Sequence, residues 1–470
     1  MFALPVLGRS VARPTPVPAH PQLSILASPA VWLGLLGSVL TALGELRGQQ
    51  LLVGVIGAEF RVPLIVTGIT ALAVAWGLLR PRPGEGVNLV GVFVLWALPL
   101  LLLPPVLSTD AGSYADLGWM INQGFSPYEQ GLGTTGSPFA YGRAWRGTTS
   151  VYPALSLELF AVVVKLTGAH AYWSVVALRS LAVAGAAMLL WSLPRIARRI
   201  GADTDRAVWL AVLNPITLIH GIGGEHIDLL MVGLVGVALA VALTPFGLVT
   251  GAMLIGVAAA VKQPALLAAP VVAGLAFLGK PRAWARDLGG AAFAVVIAVG
   301  AFVGVSELTG LGLGWLEGTG DPSRSATPTP AYLLTALADA VGLSASSDTL
   351  MLVGQGLSVL LIGGLYLRFG AGQPLRFLGV AALISVLGLG SLREWYLLAP
   401  LAFLGLSRPG RWVNAGVTLL VPLFAVYGCF REYLRLPIIT SMLYASTLAL
   451  AVVASISLVT WTRRERVPVR

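Results

Sequence analysis

Apolar runs long enough to cross a lipid bilayer recur along this chain from residue 23 to residue 461. A spanning helix needs about 20 such residues, because its main chain must satisfy its own hydrogen bonds across some 30 Å of hydrocarbon. The runs fall at 23–44, 60–79, 87–107, 172–194, 206–222, 226–243, 247–261, 264–279, 287–309, 350–368, 374–391, 394–406, 411–428 and 437–461. They predict an all-α polytopic membrane protein with about 14 transmembrane helices. The runs are continuous rather than alternating, which excludes a β-barrel. A chain with 57% hydrophobic and 11% charged residues and a mean hydropathy of +0.86 is no ordinary soluble domain. The longest polar stretches, 108–150 and 311–349, are too short for a separate catalytic module. An active site must be built from helix ends and loops.

The net charge of +10 is no sign of a nucleic-acid partner, because the arginines cluster in short loops and report topology. Arg80/Arg82, Arg195/Arg198/Arg199, Lys280/Arg282/Arg286, Arg368/Arg376, Arg408/Arg411 and Arg463/Arg464/Arg466 fall on one side only if the run Tyr152–Gly168 does not cross. That run carries Glu158 and Lys165 on one helical face, which suits a helix lying in the interface. The expected organisation is a flexible cytoplasmic lead (1–22), one transmembrane domain (23–461) with external loops at 108–171 and 310–349, and a basic cytoplasmic tail (462–470). Both termini are then cytoplasmic. A single cysteine, Cys429, forms no intramolecular disulfide.

Ionisable residues gather on the predicted external side: Asp110, Asp116, Glu129, Arg143, Arg146, Glu225, His226, Asp228, Lys262, Arg393, Glu394, Arg431, Glu432 and Arg435. Arg179 is the clearest charge at mid-helix depth. A transporter or flippase places ionisable groups near the midplane; chemistry gathered at one rim favours an enzyme acting on a lipid-linked substrate. Asp110 is the first acidic residue after the run 87–107. A carboxylate there suits a general base serving a membrane-dissolved substrate. The loop that follows is rich in aromatic residues, including Trp119, Tyr128, Tyr141, Trp145 and Tyr152, which anchor at the interface or stack on sugar rings.

Four stretches resemble a known family. Ser-Thr-Asp-Ala-Gly-Ser-Tyr-Ala-Asp-Leu-Gly at 108–118, with Gly-Phe-Ser-Pro-Tyr at 124–128, resembles the first external loop of GT-C-fold glycosyltransferases that use polyprenyl-phosphate sugars. The stretch 213–234, with Asn214-Pro215 and Gly223-Gly224-Glu225-His226, is similar to that of polyprenyl-phosphate-mannose-dependent α-1,6-mannosyltransferases. So are Val261-Lys262-Gln263-Pro264 and Arg393-Glu394-Trp395-Tyr396. Where the family reads His-Asn-Asp, this chain has His226-Ile227-Asp228.

The resemblance implies a plasma-membrane enzyme with an external active site. It would transfer mannose from polyprenyl-phosphate mannose to a lipid-anchored mannan, as in actinobacterial lipomannan and lipoarabinomannan assembly. The family's single carboxylate maps onto Asp110. A phosphate leaving group needs little acid help, so one base suffices for inverting displacement. Lys262, Arg393 and His226 are candidates for the donor phosphate. Asp228, Glu225, Tyr114, Asp116, Tyr152, Trp395 and Tyr396 are candidates for sugar or acceptor. Structural alternatives stand beside these roles: a helix-capping Asp110, a snorkelling Lys262, an Arg393–Glu394 pair, and capping by Glu225, His226 and Asp228. No His, Cys and carboxylate set has metal spacing, so neither metal nor other cofactor is indicated. The rival functions are a lipid or polysaccharide flippase, a GT-C enzyme using another polyprenyl-phosphate sugar, and a polymerase or ligase of pyrophosphate-linked glycans.

Overall fold

A computed structural model describes residues 28–48, 54–82, 86–139, 145–319, 327–344, 346–388, 390–407 and 410–465. The lead 1–22, Tyr141, Arg143, Arg408 and tail residues 466–470 lie outside the described residues. Among those described, every regular element is helical. The α-helices are α1 (Pro29–Gly48), α2 (Arg61–Leu78), α3 (Leu89–Ala97), α4 (Asp110–Asn122), α5 (Ala154–Leu166), α6 (Ala171–Ile200), α7 (Thr204–Ala211), α8 (Asp228–Ala242) and α9 (Gly247–Val261). Then follow α10 (Ala269–Ala276), α11 (Trp284–Leu308), α12 (Pro330–Ala340), α13 (Ser347–Leu365), α14 (Pro374–Gly388), α15 (Leu398–Gly405), α16 (Arg411–Gly428) and α17 (Ile438–Glu465). Local signals fix several ends. Asn88 and Asp203 cap the starts of α3 and α7 through Gly91 N and Arg206 N, each at 3.0 Å. Gly201, at φ +70°, ends α6.

Among the described residues seven helices are long and apolar enough to cross a membrane, or eight if the bent pair Thr217–Gly223 and Asp228–Ala242 is one span. The chain is a multi-pass membrane protein. The expected count of about fourteen crossings is not confirmed: among the described residues, Leu89–Leu100, Gly247–Val261, Gln263–Ala276 and Pro374–Gly388 are shorter apolar helices. A 15-residue helix reaches only about 22 Å. Helix α9 stops at Lys262-Gln263-Pro264, and two of the short helices take part in hairpins. A Cβ on Gly251 of α9 would lie 3.1 Å from Val272 of α10, so the chain reverses at Lys262. One on Gly379 of α14 would lie 2.8 Å from Leu404 N of α15, so it reverses beside Arg393.

The centre of the bundle is the stretch 207–233, buried without a break. A helix apolar all round belongs in such a position. Around it α6 packs on α8, α8 on α9, α9 on α11 and α14 on α15, while α1, α2, α16 and α17 form a second group. Helix α13 buries none of its residues and lies at the periphery.

The two ends of the bundle differ in charge. Arg80 lies over the Trp209 ring, and Arg206 donates to Asn414 at 2.7 Å, next to Arg198 and Arg199 at the end of α6. Lys280, Arg282 and Arg286 follow α10 at that same end. The other end holds Asp110, His226, Lys262 and Arg393. Along α6, Arg179 and Arg199 are about 30 Å apart, the thickness of a hydrocarbon core. The long polar loops share the second end: Thr149 and Thr319 exchange hydrogen bonds at 2.9–3.2 Å. Helix α5 is only 13 residues long, with Lys165 exposed and Glu158 half-buried, and it packs on α4 rather than spanning.

Candidate active site

Five breaks in helical structure converge at the second end, each presenting a polar side chain from its tip. Asp110 stands in the first turn of α4, with its N–H donating to Ser108 Oγ at 3.1 Å. Its carboxylate is 18% exposed, enough to meet a ligand yet largely out of water. Burial pushes Asp110 up to about 6; Arg393 and Lys262 pull it down, while Asp228 and Glu432 add to the rise.

The second break is the 106° bend between the π-helical turn Thr217–Gly223 and α8. Its tip presents His226, whose Nδ1 lies 3.7 Å from Asp110 Oδ2. The imidazole stacks on Trp395 with centroids 3.5 Å apart and planes inclined at 15°. Neither ring nitrogen has a protein hydrogen-bond partner. Buried polar atoms of this kind mark a place where a ligand or water completes the bonding.

Lys262 occupies the third break, in extended conformation between α9 and the 3-10 turn Gln263–Ala268. Pro264 prevents α9 from continuing. Its Nζ pairs with Asp228 Oδ2 at 2.6 Å and faces the rings of Tyr396 and Tyr152 at 5.0 and 5.8 Å. Gln263 Nε2 donates to Val151 O at 2.9 Å, docking the loop before α5 onto this tip. Arg393 leads the fourth break, before the 3-10 turn Glu394–Leu397. It pairs with Glu432 at 3.9 Å and lies over Trp395. Glu394, the alternative partner, is buried. Tyr152, at the fifth break, shares a 3.2 Å hydroxyl contact with Tyr114, whose ring stacks on Phe160 of α5.

Asp110, His226, Lys262, Asp228, Arg393, Trp395, Tyr396, Tyr114 and Tyr152 thus form one cluster. Two candidates are engaged elsewhere. Asp116 is fully buried and accepts from Gly133 N at 2.9 Å, pinning the polar loop from beneath. Glu225, at φ +62°, pairs with Arg179 at 2.5 Å. Arg179, expected at mid-helix depth, lies toward the site end of α6 and also donates to Leu101 O, Ile222 O and Gly223 O, so it braces the bend instead of lining a path. Glu432 reaches the cluster unforeseen by motif; its only signal was membership of the charged rim. Among the described residues no three His, Cys, Asp or Glu side chains converge as a metal site requires.

Residues 26–278 match the family described as "Alpha-(1->6)-mannopyranosyltransferase, N-terminal domain". The chain belongs to that family. It is 36% identical over 267 residues to alpha-(1->6)-mannopyranosyltransferase A of Mycobacterium tuberculosis, a match covering 54% of this chain and 51% of that protein. The Corynebacterium glutamicum protein of the same name is 38% identical over 177 residues, 37% of this chain and 36% of that one. The chain thus matches about half of the first relative's length and about a third of the second's. A probable alpha-(1->6)-mannopyranosyltransferase of Mycolicibacterium smegmatis is 30% identical over 421 residues, covering 77% of this chain and 74% of its own length. The family match takes in four of the five tips, those bearing Asp110, Tyr152, His226 and Lys262; Arg393 lies beyond it.

Proposed function

We propose that this chain is an inverting, GT-C-type mannosyltransferase that moves mannose from polyprenyl-phosphate mannose to a lipid-anchored mannan, forming α-1,6 linkages. The observation that carries this reading is the Asp110 carboxylate, partly open and flanked by the cations Lys262 and Arg393. Family membership supports mannose as the sugar and α-1,6 as the linkage. In the reaction, the acceptor 6-hydroxyl attacks the anomeric carbon from the face opposite the phosphate. The new C–O bond forms as the bond to phosphate oxygen breaks, and the hydroxyl proton passes to Asp110. A β-linked donor thereby gives an α-linked product.

Negative charge grows on the departing phosphate, which Arg393 and Lys262 stabilise from fixed positions. The unpartnered nitrogens of His226 serve sugar hydroxyls or phosphate oxygens, and Tyr114, Tyr152, Trp395 and Tyr396 wall the sugar. Asp228 holds Lys262 in place, while Asp116 and Glu225 support the loops around the site. The separation of basic loops from the site supports an external active site and cytoplasmic termini in the plasma membrane.

The test is transfer by purified protein in lipid nanodiscs, from radiolabelled polyprenyl-phosphate mannose to an alkyl α-mannoside. The expected product carries a new α-1,6 linkage by NMR. No transfer, together with movement of labelled lipid across liposomes, would identify a flippase instead. Transfer only from a different polyprenyl-phosphate sugar would overturn the donor assignment.

A further inference from the structure

The segment that delivers Asp110 to the site is irregular. Between the 3-10 turn Leu98–Leu100 and the start of α4, the chain makes no regular structure of its own. Other elements hold its main-chain groups instead. Leu101 O accepts from Arg179 Nη1 at 2.6 Å, and Leu102 O accepts from the Tyr172 hydroxyl at 2.6 Å. Val106 N donates to Gly223 O at 2.9 Å, and Leu107 N donates to the Tyr433 hydroxyl oxygen at 3.0 Å. The last of these bonds lies nearest the carboxylate.

Leu107 has φ +55°, in the left-handed region that a leucine avoids. Such a conformation persists where its surroundings over-determine it, and it is typical of residues serving a site. Tyr433 supplies that constraint. Its hydroxyl accepts from Leu107 and donates to the buried carboxylate of Glu45. Arg61 stands 3.5 Å from the second Glu45 oxygen and lies over the Tyr433 ring at 4.4 Å. Tyr433 also ends the π-helical turn Cys429–Tyr433, whose Glu432 pairs with Arg393. One turn of chain therefore touches both the segment of the base and the cation opposite it.

We propose that Tyr433, oriented by Glu45 and Arg61, is a positioning residue that fixes Asp110 for proton abstraction by holding Leu107. The proposal rests on the reading of Asp110 as the general base. With both its bonds made inside the protein, the Tyr433 hydroxyl acts through the backbone and not on substrate.

The experiment is steady-state kinetics of the full chain in nanodiscs, with polyprenyl-phosphate mannose and an alkyl α-mannoside, alongside thermal melting. Tyr433→Phe keeps the ring under Arg61 and should lower kcat about 10- to 100-fold while leaving donor KM within about two-fold. Its loss should vanish in the Asp110→Asn background, where no base remains to be misplaced. Wild-type kcat in Tyr433→Phe, or a full multiplicative loss in the double variant, overturns the proposal. Should Tyr433→Phe fail to fold, Glu45 carries the test: Glu45→Gln keeps an acceptor for the hydroxyl and must retain more kcat than Glu45→Ala, and equal losses overturn it. High activity in Asp110→Asn alone would instead remove the base reading itself.

Discussion

Asp110 is tuned by opposing effects of which burial is the larger: it raises the pKa to about 6, and two nearby cations limit the rise. At neutral pH the carboxylate is mostly ionised, and it accepts a proton more readily than a solvated aspartate. Because the folded pKa is raised, the base is lost as pH falls through about 6, not through the ordinary value of 3.8. The acid limb of kcat/KM against pH should therefore have its midpoint near 6, and a limb near 4 would show that Asp110 is not so buried in the working enzyme. The two cations differ in what their removal costs. Lys262 and Asp228 are 12% and 5% exposed, so Lys262→Ala strands a buried carboxylate and should destabilise by about 3–5 kcal/mol. Asp228→Asn in the same chain should restore much of the melting temperature. Arg393 faces a half-exposed Glu432 at 3.9 Å, so Arg393→Ala should raise donor KM with little change in melting. The reverse pattern, a stable Lys262→Ala and an unfolded Arg393→Ala, would contradict these assignments.

At the scale of elements, the site depends on how closely α6 and α8 approach. A Cβ on Gly185 would lie 2.2 Å from Leu229 O, and one on Gly233 would lie 2.5 Å from Gly185 O. Small residues allow this contact between membrane helices. It holds the head of α8 against α6, whose Arg179 braces the bend through Glu225, Ile222 O and Gly223 O. Gly185→Val should separate the helices, costing about 1–3 kcal/mol or more in thermal melting and lowering transfer in parallel. Unchanged melting would mean that the two helices do not pack this way. Hydrophobic run length revealed where helices lie, and Lys262-Gln263-Pro264 and Arg393-Glu394 revealed where they break. Run length did not reveal which helices span fully, because a hairpin of short helices is as apolar as a true crossing. The pairings were also hidden: Lys262 lies 34 positions from Asp228, and Tyr433 lies 326 from Leu107. Such contacts are fixed by tertiary packing, and no local pattern carries them. Asp116 looked like a site residue for the same reason, since spacing along α4 does not say that its carboxylate turns toward Gly133.

For the whole molecule, the separation of charge along the bundle sets the expected topology. The basic loops gather at one end and the site at the other, and the positive-inside tendency then supports the proposal of an external site. Cys429 is buried and is the chain's single cysteine, which leaves a quiet background for thiol labelling. A membrane-impermeant maleimide added to intact cells should label Thr134→Cys, in the exposed polar loop, and spare Arg199→Cys until the cells are opened. The opposite labelling would turn the protein over and move the site to the cytoplasm. In the proposed mechanism one carboxylate, Asp110, carries the central task. The measurement that tests this most directly is the turnover and melting of Asp110→Asn in nanodiscs, with donor and acceptor saturating. Removing a general base should lower kcat by on the order of 10²–10⁴-fold. Melting should be unchanged or higher, because the substitution removes a buried charge. Turnover within a few-fold of wild type would contradict the account.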